Sequence, residues 1–131
     1  MTTAKSDPWP KEHEARLNRM AGMEKGWDSY RADPPSAVAI ANAREFVRSA
    51  VKAGLPPDKV NPSAMGGVGV TFRRGKNDDE MVFVEFYNPG HAHALFAAGG
   101  AEHMHTQPVP TTPDGYRYLL SLVDFFFKVV P

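Results

Sequence analysis

The sequence predicts an α+β fold: two N-terminal helices, a three- to four-stranded antiparallel meander, and a C-terminal helix packed on the sheet. Three observations carry that prediction. Apolar residues recur at helical spacing as far as Gly54, the pattern turns strand-like from Val60, and a broad helical stripe returns after Pro113. With 131 residues the chain can build one self-sufficient core and is too short for two ordinary domains, so residues 1–131 are read as a single unit.

Residues 1–9 are polar and expected to be loose, with Ser6 and Asp7 as capping candidates and Pro8 and Pro10 suited to a first helical turn. A first helix is predicted from Pro10 to Lys25, with Leu17, Met20 and Met23 or Glu24 at the spacing of a narrow apolar stripe and Gly26 as its stop. A second is capped by Ser36 after Pro34-Pro35. Ile40, Ala43, Phe46, Val47, Ala50 and Val51 make its apolar face, and Gly54 ends it.

Gly67 to Phe72 and Met81 to Tyr87 are rich in β-branched and aromatic residues and are predicted as central strands, joined by a charged hairpin loop from Arg73 to Asp79. Asn88-Pro89-Gly90 suits a type II turn, so a strand from His91 to Ala97 is expected to return antiparallel. Gly99-Gly100 offers a further reversal into Glu102 to Gln107, and Pro108 and Pro110 are expected to close the sheet region. The last helix is predicted from near Thr112, with Pro113 in its opening turn. Tyr116, Leu119, Leu120, Val123, Phe126, Phe127 and Val130 share one face, too wide to stand in water and expected to cover the sheet.

Apolar residues make up 42% of the chain and charged residues 23%, a composition that folds. Fifteen basic residues balance fifteen acidic ones, so the chain lacks the basic footprint of a nucleic-acid binder. The absence of cysteine excludes disulfides, thiol catalysis and thiolate metal sites, and fits a reducing compartment. Neither a signal-peptide core nor a membrane-spanning run is visible, so the cytoplasm is expected and no membrane partner. Gly66, Gly67 and Gly69 are not a phosphate loop, since no Gly-Lys-Ser or Gly-Lys-Thr follows, and no nucleophile-elbow pattern frames a serine.

Between the two N-terminal helices runs Gly26-Trp27-Asp28-Ser29-Tyr30-Arg31-Ala32-Asp33-Pro34-Pro35-Ser36. This run resembles the Gly-Trp-Asp-x-Tyr-x-Ala-x-Pro-Pro-Ser signature of a group of small, uncharacterised bacterial and mobile-element proteins. The order of elements is similar too: a short proline-flanked strand at Val60-Asn61-Pro62, then a Gly-Gly-initiated strand, here Gly66 to Gly75, in which Thr71 stands for a usual acid and Phe72 for a usual tryptophan. The resemblance covers most of residues 15–97 and implies a fold, not a chemistry. Trp27, Asp28 and Tyr30 are expected to be structural, the indole plugging the junction of helices and sheet and the carboxylate accepting backbone bonds in the turn.

His91-Ala92-His93 and His103-Met104-His105 stand out for metal-binding or acid–base capacity, because residues two apart on a strand project together. A three-residue turn at Ala98 to Gly100 would set His93 opposite His105 and gather all four imidazoles, with Glu85 in reach; a two-residue turn would scatter them onto opposite faces. The reading preferred is a solvated edge ribbon, with no metal and no cofactor. Phe83, Glu85 and Tyr87 lie opposite Val82, Val84 and Phe86, so if the helices cover the valine face, the first three line the other with Thr71, Arg73 and the histidines. These residues, with His91, His93, His103 and His105, are the candidate binding set. The expectation is a non-catalytic, protein-binding accessory factor of bacterial or phage origin, of the inhibitor, immunity or anti-defence type. The alternatives are a metal-binding enzyme centred on the four histidines, and a homodimer that buries the open face against itself.

Overall fold

The computed structural model describes residues 11–24, 33–74, 79–99 and 104–129. In chain order these form α1 (Lys11–Met20), α2 (Ala37–Lys52), β1 (Lys59–Ser63), β2 (Gly67–Arg74), β3 (Glu80–Tyr87), β4 (Ala92–Ala98), β5 (Met104–Val109) and α3 (Pro113–Val129). The strands make one sheet in the order β1-β2-β3-β4-β5, antiparallel throughout. The α+β architecture is as predicted, with one strand more than the meander of three or four. Trp27, Asp28, Tyr30, His103 and Val130 lie outside the described residues.

Local chemistry places the helices. Ser36 caps α2 by accepting the Ala39 amide at 3.0 Å on its hydroxyl. The same hydroxyl donates to the Asn88 carbonyl at 3.0 Å, and the Asn88 side chain accepts the Ser36 amide at 2.7 Å and donates to the Pro34 carbonyl at 3.0 Å. One asparagine therefore ties the entry of α2 to the β3–β4 turn. At the start of α3, Thr112 accepts the Gly115 amide on its hydroxyl at 3.0 Å, and Pro113 occupies a first-turn position where its missing N–H is not needed.

Helix α1 stops earlier than its apolar spacing predicts. The Gly22 amide turns back to the Arg19 carbonyl at 3.1 Å and that of Met23 to Met20 at 3.2 Å, a tight closing turn at a residue with poor helix propensity. The β3–β4 reversal also departs from prediction: Gly90 donates to the Tyr87 carbonyl and Tyr87 to the His91 carbonyl, each at 2.9 Å, so the turn bond starts one residue before the expected one and Gly90 takes φ 119°. Pro108 does not close the sheet but lies within β5. The two edge strands each contain a proline, Pro62 in β1 and Pro108 in β5.

All three helices pack on the face that carries Val82, Val84 and Phe86, and the buried residues of helices and sheet form one core cluster. Phe46 of α2 sits at its centre. Its ring meets Phe72 at 6.0 Å, Phe86 at 5.5 Å and Tyr116 at 5.5 Å, in edge and tilted contacts favoured by the aromatic quadrupole. Of the predicted α3 stripe, Tyr116, Leu119, Leu120 and Val123 are buried, while Phe126 and Phe127 are half-buried beside them. Buried His13 of α1 bonds through Nε2 to the Pro57 carbonyl at 3.1 Å and holds that helix to the chain entering β1, a role its sequence position does not advertise.

The Tyr116 hydroxyl is buried and has no hydrogen-bond partner. Loss of hydration, reinforced by the charge of Glu45, pushes its ionisation far above the ordinary tyrosine range. Tyr116→Phe removes an unsatisfied polar atom while keeping the ring contacts, so its stability should match or exceed the native protein by about 1 kcal/mol in urea unfolding near neutral pH. Because the folded phenol holds its proton longer than the unfolded one, its contribution is intact below about pH 10 and is lost as pH rises further. The variant should lack that part of the alkaline decline, which a melting series from pH 8 to 11 measures.

Candidate functional site

The strand registers arrange the face away from the helices into rows. Lys59, Thr71, Phe83, Leu95 and Thr106 stand side by side across the five strands; the next row is Asn61, Gly69, Glu85, His93 and Pro108. On the far side of the first row lie Arg73, Met81, Ala97 and Met104. No described helix covers this face. Its centre is half-buried by its own neighbours, and Met104 is 50% exposed at its β5 border.

The face divides in two. Met81, Phe83, Leu95, Ala97 and Met104 make an apolar half, whereas Ser63, Glu85, Tyr87, His91 and His93 make a polar, ring-lined half. Two glycines of β2 shape the junction. Phe83 spreads over Gly69, where an added Cβ would meet its ring at 2.8 Å. Gly67 and Gly69 present no side chain between β1 and β3, so the Glu85 carboxylate reaches across β2 and accepts the Ser63 hydroxyl on Oε2. Its Oε1 accepts the Tyr87 hydroxyl at 3.1 Å. Partial burial, the bond to Glu85 and the nearby negative charge raise the Tyr87 ionisation above its usual value.

Tyr87 stacks on His91, with ring centroids 4.5 Å apart and planes 17° apart, and His93 stands edge-on to both at 5.9 and 6.1 Å. His93 is the register partner of Glu85, as the parity of the strands predicts. His105 is not part of this group. A three-residue turn does not join β4 to β5: Ala97 pairs with Met104, so His93 faces Pro108 and His105 faces Phe96. The shift in parity turns the His105 ring onto the helix side, 6.2 Å from the Phe96 ring and bonded to Gln107 at 3.1 Å. The gathering of four imidazoles expected from that turn therefore does not form, and among the described residues no three His, Asp or Glu side chains assemble a metal-holding set.

Thr71, Arg73, Phe83, Glu85, Tyr87, His91 and His93 of the candidate set thus share the open face. Met81, Leu95, Ala97, Met104 and Ser63, absent from that set, belong with them. Leu95 and Met81 follow from strand parity, the signal that singled out Phe83; Ser63 depends on the bare backbone of β2. Ser63 also accepts the Met65 amide at 3.1 Å, and among the described residues no histidine bonds to it or to Glu85. The two hydroxyl bonds fix the Glu85 carboxylate against Ser63 and Tyr87.

Comparison with protein-family models, with curated proteins and with solved structures gives no match. No described helix is long and apolar enough to cross a membrane.

Proposed function

We propose that this protein acts by binding another protein through the open face of its sheet, without catalysing a reaction, as an accessory factor of the inhibitor, immunity or anti-defence type. The observation that carries this reading is the apolar half of the face: Met81, Phe83, Leu95 and Met104 stand together on β3, β4 and the edge strand β5, uncovered by any described helix. A contiguous apolar patch rimmed by polar groups is the usual anatomy of an interaction site. The balanced charge of the chain and the likeness of its connector to small mobile-element proteins support the same reading.

Affinity purification of the tagged protein from its host, with Leu95→Arg and Met104→Arg alongside, tests it. A stoichiometric protein should co-elute with the native chain and be lost from both variants, whose circular dichroism and melting remain close to native. Placing a charge within such a patch costs about 2 kcal/mol of binding, some thirtyfold in affinity. A native chain that elutes alone, or a partner retained by both variants, would overturn the proposal. Self-association abolished by Leu95→Arg would replace the foreign partner with a second copy.

A further inference from the structure

The geometry points to Glu85 as the seat for an arginine side chain of the protein partner, held between its carboxylate and the rings of Tyr87 and His93. This inference rests on the reading of the open face as a protein-binding surface and specifies the chemistry of one end of it.

Glu85 is a half-buried carboxylate on a central strand, and its two bonds come from neutral hydroxyls, Tyr87 and Ser63. No arginine, lysine or histidine makes an ion pair with it among the described residues. Three carboxylates elsewhere do meet a cation: Glu14 meets Arg44 at 3.3 Å, Asp58 meets Arg74 at 3.0 Å, and Asp124 meets Lys128 at 3.0 Å. A carboxylate drawn partly out of water without a cation is left with unspent attraction for one.

The acceptor inventory says which cation fits. Each Glu85 oxygen offers about two lone-pair directions and uses one, so one remains on each atom. Two acceptors side by side suit the parallel N–H groups of a guanidinium, whereas an ammonium uses them as a point charge. The flat rings of Tyr87 and His93 stand next to the carboxylate, 5.9 Å apart and nearly perpendicular. Guanidinium planes stack on such faces. The hydroxyl bonds already hold Glu85 in one orientation, so little ordering remains for binding to impose.

The test uses the isolated full chain, labelled with nitrogen-15, titrated at low ionic strength with three blocked tripeptides, Gly-Arg-Gly, Gly-Lys-Gly and Gly-citrulline-Gly. Citrulline keeps the shape of arginine without its charge. The arginine peptide should give saturable amide shifts confined to residues 63–69 and 85–93, with half-saturation at least fivefold below that of the lysine peptide. The citrulline peptide should give no saturable shift. Glu85→Gln, which preserves an acceptor for the hydroxyls, should remove the arginine response. Equal responses to arginine and citrulline, shifts mapping elsewhere, no saturable response, or an undiminished one in Glu85→Gln would each overturn the assignment. The citrulline comparison on the native chain decides the matter even where the variant folds poorly. A partner that co-purifies and is lost in Met104→Arg while the arginine peptide gives no response overturns the seat alone. An arginine response with no co-purifying partner overturns the role of the face.

Discussion

A chain ending at Thr111 should fail to fold. Helix α3 supplies Tyr116, Leu119, Leu120 and Val123 to the shared core, and Tyr116 lies against Phe46 and Phe86, the rings around which that core is built. Burying a side chain of this size is worth about 1.5–3 kcal/mol, so the four together approach the whole stability of a typical domain, about 5–15 kcal/mol. Removal also bares Phe46 of α2 and Phe86 and Phe96 of the sheet. The expected product is insoluble, or binds a hydrophobic dye and melts without a cooperative transition. A truncated chain that stays soluble and unfolds in a single sharp step would show that α3 is dispensable to the core.

Gly67→Ala should be among the most damaging single substitutions. Gly67 takes φ 147°, and a Cβ there would lie 2.0 Å from the Phe86 carbonyl oxygen, a backbone atom of the paired strand that cannot swing aside. The β2–β3 ladder must open locally to admit one methyl group. We expect a loss of about 3–5 kcal/mol, at the upper end for point substitutions, and a melting temperature lower by about 10–20 °C. Gly54→Ala provides the contrast, since Gly54 has φ 80° but open space around it, and should cost only about 1 kcal/mol of backbone strain. Equal effects at the two positions would exclude the close strand approach as the cause.

What could be read from the sequence follows the range of the forces involved. Helices α2 and α3 were legible because Ser36 and Pro113 act on their own neighbours and the apolar face repeats at a fixed period. The face shared by Phe83, Glu85 and Tyr87 was legible for the same kind of reason, since alternation along one strand needs no knowledge of another. The partnership of β4 with β5 was not. Its parity depends on how many residues the reversal consumes, and an alanine- and glycine-rich connection suits more than one length, so His93 and His105 could have fallen together or apart. The bond from Ser63 to Glu85 was hidden more deeply, because it exists through the absence of side chains on the strand between them.

The prolines of the outer strands have a consequence for how the molecule behaves in company. A proline is tolerated in a sheet where its nitrogen points away from the neighbouring strand, so Pro62 and Pro108 each leave a gap in the row of donors that the sheet turns outward. A strand from another molecule arriving at either border meets a ladder with a missing rung and gains less by pairing along it. Sideways growth into ribbons or fibrils is thereby disfavoured at both borders.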